Sequence, residues 1–479
     1  MKKHTKIVCT LGPASESLTT IAAMVKSGMN VARLNFSHGT HANHKKLISN
    51  VRKVGLKTGQ PVAVMQDLQG PKIRVGILPD SGVELRSGEE VIFDTAVKKY
   101  AAGAIPLDFA ELHKHVKKGE RMLLDDGRIE TKISGVAGTK IKAMILNSGR
   151  IFSHKGINTP DSDVDISCLT EKDKIDLKFG ISQNVDFVAL SFVRRAQDIL
   201  DLRFLIVEYE KQLKIKPVEP IRIIAKIERS EAVRNIDEIL DAVDGIMVAR
   251  GDLGIEIPAA EVPMTQKKLV EKALKAAKPV IVATQMLDSM QTNPRPTRAE
   301  VSDVANAVID HTDAVMLSNE TATGKYPVEA ARMMTEIILE TEKSAYDDLL
   351  LTENVGNKGP LDSVISEMSR ILAQKINAKL ILAASLTGET GRHISRYRPQ
   401  MPIIVATATD RVCQQLNLSW GIRPFVLVPC RSIEELVERS LTYLKKNKFV
   451  ATGDKIIVVA GEPVGQAGNV NLLEVREVK

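Results

Sequence analysis

Eight short apolar runs, most of them followed by an amphipathic helical stretch, constrain this chain more than any other feature. They occupy residues 6–11, 30–36, 61–66, 186–192, 222–227, 245–249, 279–284 and 314–317. Each is rich in β-branched residues, and near-continuous apolar character is what a parallel strand covered on both faces requires. Helical periodicity follows in, for example, residues 19–26, 231–242, 264–277 and 327–343. Strand–helix alternation of this kind predicts a parallel sheet with covering helices. Eight such units predict an α/β chain closed into a (β/α)8 barrel, with an open doubly wound sheet as the structural alternative.

The alternation breaks twice. Residues 70–155 are dense in turn signals (Asp80-Ser81-Gly82, Ser87-Gly88, Asp125-Asp126-Gly127, Ser134-Gly135, Ser148-Gly149) separated by short alternating runs. This predicts a small β-barrel domain inserted after the third strand, over the face where such barrels carry chemistry, where it can act as a lid. A second break at residues 354–360 reads as a linker, after which α/β alternation resumes as a doubly wound domain. The predicted division is 1–69 with 166–345 for the barrel, 70–165 for the lid and 346–479 for the C-terminal domain. A length of 479 residues fits about three domains.

Several function classes are disfavoured. No apolar stretch approaches the ~20 residues that span a bilayer, and the run after Met1-Lys2-Lys3 is a poor signal peptide. Cys9, Cys168, Cys413 and Cys430 are widely spaced, which argues against a zinc ribbon and for a reducing, cytoplasmic setting. The net charge of +7 favours anionic ligands. With 4% aromatic residues and dispersed basic ones, nucleic-acid binding is a minority reading. His38, His41 and His44, without an acidic member, are a weak zinc signal.

Polar and charged residues appear where the apolar runs stop: Arg33-Leu34-Asn35-Phe36-Ser37-His38, Asp67, Ser191, Lys226-Ile227-Glu228, Arg250-Gly251-Asp252, Thr284-Gln285 and Ser318-Asn319-Glu320. One such residue is usually a helix cap; a succession of reactive side chains converging on one barrel face is a site. Lys226 and Glu228 share a strand face. They form either an ordinary ion pair or, with Asp252 at the next strand end, a site where two carboxylates take a divalent ion and the lysine neutralises a phosphoryl group. Gly251 would let the backbone approach a ligand closely. Arg33, Asn35 and Ser37 alternate onto one face and supply phosphate donors and cation acceptors.

The segments Lys6-Ile-Val-Cys-Thr-Leu-Gly-Pro-Ala14, Met29-Asn-Val-Ala-Arg-Leu-Asn-Phe-Ser-His-Gly39, Ala225-Lys-Ile-Glu228, Met247-Val-Ala-Arg-Gly-Asp-Leu-Gly254, Ala283-Thr-Gln-Met286, Met316-Leu-Ser318 and Glu320-Thr321 closely resemble the motifs of the pyruvate kinase family, over essentially the whole chain. The resemblance implies a TIM barrel with lid and allosteric domains, assembled as a homotetramer, that makes pyruvate and ATP from phosphoenolpyruvate and ADP. It implies that Glu228 and Asp252 bind Mg²⁺ (or Mn²⁺) and that Lys226 stabilises the phosphoryl group. Arg33 would contact the phosphate of phosphoenolpyruvate. Gly251 and Thr284 would hold its carboxylate, and Thr284 and Ser318, backed by Glu320, would relay a proton. Asn35, Ser37, His38, Arg74 and Lys155 would face the nucleotide phosphates.

One segment departs from the family pattern. Many members carry Thr, Lys and Glu where this chain has Leu68, Gln69 and Lys72, and those members bind K⁺ near Asn35, Ser37, Asp67 and the carbonyl of residue 68. The expectation is that the Lys72 ammonium replaces K⁺, so that K⁺ is not required. In the C-terminal domain, Ser385, Thr387, Gly388 and Thr390 lie in a loop that either starts an ordinary helix or cradles a phosphate. The resemblance implies a phosphorylated effector there. Glu389 would repel a second phosphate, so a monophosphate is expected. A Mg²⁺-dependent lyase or aldolase would share the Glu228/Asp252 pair without needing Arg74, Lys155 or the effector-like domain. A nucleic-acid-binding or scaffold protein is the non-enzymatic alternative.

Overall fold

The computed structural model describes residues 3–101, 103–162, 164, 166–216, 219–348, 360–466 and 468–479. Eight parallel strands close into a barrel: β1 (Lys6–Thr10), β2 (Val31–Asn35), β3 (Ala63–Asp67), β4 (Phe187–Leu190), β5 (Arg222–Ile227), β6 (Gly245–Ala249), β7 (Val280–Ala283) and β8 (Ala314–Leu317). They pair in sequence order and β8 closes on β1, with Lys6 opposite Ala314. The open-sheet alternative is thereby excluded.

The two-residue period of each strand builds two cores. Ile7, Cys9, Ala32 and Leu34 point outward against the helices. Val8, Val31, Met65, Phe187, Ile224 and Met247 point inward and fill the barrel. Helix starts follow local chemistry. Ser17 caps Leu18–Lys26 by accepting from Thr20 N, and Thr297 with Glu300 forms a capping box on Arg298–Ile309. The predicted helix 231–242 is two helices, Ser230–Arg234 and Ile236–Ala242, meeting at Asn235. Asn235 donates its side-chain amide to the Arg194 carbonyl.

Between β3 and β4 lies the inserted β domain. Its main sheet has six strands in the order Ile157–Asn158, Arg121–Leu124, Ile129–Ala137, Lys140–Ile145, Glu90–Asp94, Ala104–Pro106, beside a ribbon of Val83–Leu85 and Gly149–Ile151. Phe93, Leu112, Met122 and Ile141 anchor its own core. The C-terminal domain has a five-stranded sheet ordered Ile422–Val426, Ile403–Thr407, Leu380–Ala384, Lys455–Ala460, Leu472–Glu477; the last strand is antiparallel. Sequence reading had not identified that edge strand. Of the predicted linker 354–360, all but Pro360 lies outside the described residues.

The C-terminal domain closes the bottom of the barrel. Leu418, fully buried, belongs to the barrel-interior cluster with Met65, Phe187 and Ile224. Polar contacts around it tie down the strand starts. Asn417 donates to the Pro61 carbonyl at 2.6 Å, Trp420 N to Asp313 at 2.9 Å, and Lys6 Nζ to the Ile422 carbonyl at 2.6 Å. The buried Arg398–Asp313 ion pair spans 3.0 Å. Replacing Leu418 by alanine leaves a cavity inside the barrel. The expected loss is about 2–5 kcal/mol, read as a lowered urea midpoint; a midpoint matching the parent would mean the plug is not packed.

Candidate active site

The C-terminal ends of β2, β3 and β5 bring four buried charges together. The Lys226 ammonium lies 2.8 Å from Glu228 Oε1, 3.5 Å from Asp67 Oδ1 and 2.8 Å from Ser191 Oγ. Arg33 Nε donates to Asp67 Oδ2 at 2.6 Å and Nη1 to Thr10 Oγ1 at 2.9 Å. Glu228 also accepts Phe192 N at 2.7 Å. The carboxylates of Asp67 and Glu228 are each 1% exposed. At an effective dielectric near 20, a pair 4 Å apart gains about 4 kcal/mol. That is comparable with the several kcal/mol each ion loses on leaving water. The cluster therefore holds as a closed, charge-balanced set.

The titration directions follow from this arrangement. Burial alone lowers the pKa of Lys226, but Asp67 and Glu228 outweigh it and hold the ammonium above its usual range. Burial alone raises that of Asp67, but Arg33 and Lys226 outweigh it and hold the carboxyl below its usual range. Glu228 stays above the usual carboxylate range. Burial is the main cause, Lys226 opposes it, and the like charge of Asp252 adds to it.

Asp252 stands on the short helix Arg250–Glu256 that follows β6. Two carboxylates that repel each other at adjacent strand ends are a donor set a hard divalent cation fits, with the remaining positions left to ligand and water. Among the described residues no group of three or more His, Cys, Asp or Glu side chains converges on one point. The three histidines do not assemble: His41 pairs with Asp176 at 2.7 Å, while His44 Nε2 donates to the His38 carbonyl at 2.9 Å and its ring stacks on Phe36.

On the β6–β8 side, Gly251 N donates to Thr284 Oγ1 at 2.9 Å. A Cβ at Gly251 would meet nothing closer than that hydroxyl at 3.6 Å, so the fold itself does not demand glycine there. Glu320 is 1% exposed; its carboxylate accepts Ser318 N at 2.7 Å and Leu287 N at 3.2 Å, and burial raises its pKa.

The expected placement of Lys72 needs correction. Its ammonium lies 3.1 Å from Asp126 and 3.4 Å from Asp252, and none of its ion pairs or hydrogen bonds is with Asn35, Ser37, Asp67 or Leu68. The reason is electrostatic. Asp67 is already neutralised by Arg33 and Lys226, whereas among the described residues Asp252 and Asp126 pair with no cation other than Lys72. Two other oxygens of the expected K⁺ site are also engaged: the Leu68 carbonyl accepts Ser191 Oγ at 2.6 Å and Asn35 Oδ1 accepts Ser37 N at 3.1 Å. In the lid, Lys155 pairs with Asp125 at 2.8 Å and Arg74 donates to the His154 carbonyl at 3.0 Å; His38 is exposed beside β2.

Ser385, Thr387 and Thr390 line a cavity of about 240 Å³ in the C-terminal domain, together with Leu427, Val428 and Ile433. Gly388 lies behind it with φ +84°, where Leu416 packs against its backbone. Glu389 does not stand as an uncompensated charge. It pairs with Arg392 at 2.6 Å and Arg222 at 3.1 Å, which outweigh its burial and hold its carboxyl down to about 2.

Sequence reading missed Thr10, Asp126 and the Phe192 amide, and it gave Ser191 no role. Ser191 and Thr10 both end barrel strands, which was the available signal.

The model of the pyruvate kinase barrel domain matches residues 2–331, and that of the pyruvate kinase alpha/beta domain matches residues 363–476. The chain is 44% identical to a pyruvate kinase of Sporosarcina psychrophila over 99% of its own length and 80% of the relative's. It is 42% identical to one of Clostridium acetobutylicum over the full length of both. A crystal structure of a pyruvate kinase from Cryptosporidium parvum superposes with a TM-score of 0.92 at 35% identity, covering 100% of this chain and 96% of that one.

Two outcomes test the electrostatics. Asp67→Asn leaves Arg33 and Lys226 short of a counter-charge, and a loss of about 3–5 kcal/mol in urea unfolding is expected; a loss below about 1 kcal/mol would contradict the closed set. Glu389 contributes stability above its unfolded value of 4.5 that is lost as pH falls towards about 2. Its side chain is 47% exposed, so the effect is screened to about 1 kcal/mol or less. The gap in urea midpoint between the parent and Glu389→Gln is expected at pH 7 and should close across that window.

Proposed function

Because the chain belongs to the pyruvate kinase family of phosphotransferases, we propose that it transfers the phosphoryl group of phosphoenolpyruvate to ADP, with a divalent ion at Glu228 and Asp252. The observation that carries this reading is the Lys226 ammonium, held cationic by two buried carboxylates at a strand end. Phosphoryl transfer needs positioned positive charge more than covalent chemistry. Lys226 supplies that charge without releasing its proton, since Asp67 and Glu228 raise its pKa. Arg33 uses Nε and Nη1 within the protein and leaves Nη2 for a phosphate oxygen. Mg²⁺ or Mn²⁺, when bound, supplies Lewis-acid neutralisation of the enolate and phosphoryl oxygens.

The Gly251 backbone and Thr284 hold the carboxylate of the substrate. Thr284 Oγ1 accepts from Gly251 N, so its own proton is free to be donated to the enolate carbon. Glu320 orients Ser318 through its backbone amide, completing a relay towards Thr284. Asn35, Ser37, His38, Arg74 and Lys155 receive the ADP phosphates, Lys155 exchanging Asp125 for phosphate.

Activity is independent of K⁺ in this reading. Support comes from the protein contacts already made by Asp67, Leu68 and Asn35, and from the permanent Lys72 charge beside Asp252. The effector is a monophosphate held by the hydroxyls of Ser385, Thr387 and Thr390, with the Glu389 charge tied to Arg222 and Arg392. Leu361, Val364 and Met368 form an exposed stripe on helix Leu361–Lys375, a surface that a homotetramer would bury. No described helix is long and apolar enough to cross a membrane, and the cytoplasm is the setting we assign.

Pyruvate formation from phosphoenolpyruvate and Mg-ADP, measured with and without K⁺, tests the reading. Near-equal turnover in both is expected, and Lys72→Glu is expected to fall several-fold without K⁺ and recover with it. Strict K⁺ dependence of the parent would sink the Lys72 argument and keep the kinase.

A further inference from the structure

We infer that Arg250 and Asp303 are positioning residues that clamp the Thr284-Gln285 backbone in the left-handed region and so aim the Thr284 hydroxyl. The inference rests on the reaction proposed above. Immediately after β7, Thr284 has φ +73° and Gln285 has φ +54°. A β-branched residue at positive φ is an outlier, and two consecutive non-glycine residues there persist only where their surroundings over-determine them.

Arg250 provides that constraint. Its Nη2 donates to the Thr284 carbonyl at 2.7 Å and to Met286 Sδ at 2.9 Å, and its Nε lies 3.4 Å from the Ala283 carbonyl. One guanidinium thus contacts Ala283, Thr284 and Met286, on either side of Gln285. Asp303, on helix Arg298–Ile309, fixes the guanidinium with two bonds of 2.7 Å each. Gln266 adds a contact at 3.4 Å. The next residue in the chain, Gly251, holds the Thr284 side chain through its N–H at 2.9 Å. Residues 250 and 251 therefore define the backbone and the hydroxyl of Thr284 separately. Among the described residues, the side-chain hydrogen bonds of Arg250 and its ion pair are with these protein groups, so it acts through Thr284 and not on the phosphate. A lysine cannot reproduce a fork that grips a carboxylate and a carbonyl together.

The test uses the full-length enzyme. The Asp303→Asn and Arg250→Lys variants are compared with the parent in overall turnover, in KM for both substrates, and in exchange of the pyruvate methyl protons with D2O. Exchange is followed by NMR with Mg²⁺ and inorganic phosphate present. Expected is a fall in methyl exchange on the order of 10–100-fold, as a misplaced catalytic group produces, with KM for ADP within about threefold and KM for phosphoenolpyruvate, whose carboxylate Thr284 holds, rising by less than exchange falls. Asp303→Glu, which keeps the carboxylate, should recover part of the exchange. Equal loss of exchange and substrate affinity, or no loss of exchange, overturns the clamp. Should Asp303→Asn fold poorly, Gln285→Gly supplies a second test, because glycine takes positive φ at no steric cost. Added to Asp303→Asn, it should restore folding and several-fold of the exchange, and no restoration overturns the strain argument. A parent enzyme without phosphoenolpyruvate- and ADP-dependent turnover would sink the functional reading instead.

Discussion

An ammonium buried between two carboxylates is tolerable only while every partner stays in place, and the rest of the site is organised around that condition at Lys226. Asp67 and Glu228 come from β3 and from the end of β5, so the ion cluster is also a register lock between barrel strands. Arg33 from β2 completes the balance through Asp67. Ser191, at the end of β4, accepts from the ammonium and donates to the Leu68 carbonyl. Four strand ends are thus tied by two cations, Lys226 and Arg33. The alternative, an unpaired buried charge, costs several kcal/mol, a large part of a domain's net stability.

The same logic runs from the top of the barrel to its bottom. Leu418 seals the interior from below, while Arg398–Asp313 and Arg222–Asp244 hold the strand starts. Arg222 also reaches Glu389, the first residue of helix Glu389–Ser395 after the C-terminal loop, at 3.1 Å. The loop that lines the C-terminal cavity is thereby joined by an ion pair to the strand that carries Lys226.

Much of the fold was legible because strands buried on both faces are written as continuous β-branched runs, and all eight barrel strands fall within or at one residue of the predicted runs. The edge strand Leu472–Glu477 escaped because none of its residues is buried, each being half-buried or exposed, so it lacks the apolar run of a covered strand. In the site, Lys226 and Glu228 were legible as strand-face neighbours. The destination of Lys72 was not: its partners Asp126 and Asp252 come from the lid and from the short helix after β6, a pairing that no local pattern encodes. Arg250 stood in plain view at a strand end, but its function depends on Asp303 and on two positive φ angles, which only the folded backbone reveals.

The claim on which the account stands is that the Lys226 charge does its work in the transition state. The direct measurement is steady-state turnover of phosphoenolpyruvate with Mg-ADP in Lys226→Met, which keeps the bulk and removes the charge. The account predicts a kcat lower by on the order of 10²–10³-fold or more, with KM for phosphoenolpyruvate changed only a few-fold. A kcat within about threefold of the parent would contradict it and place the stabilising charge on another residue.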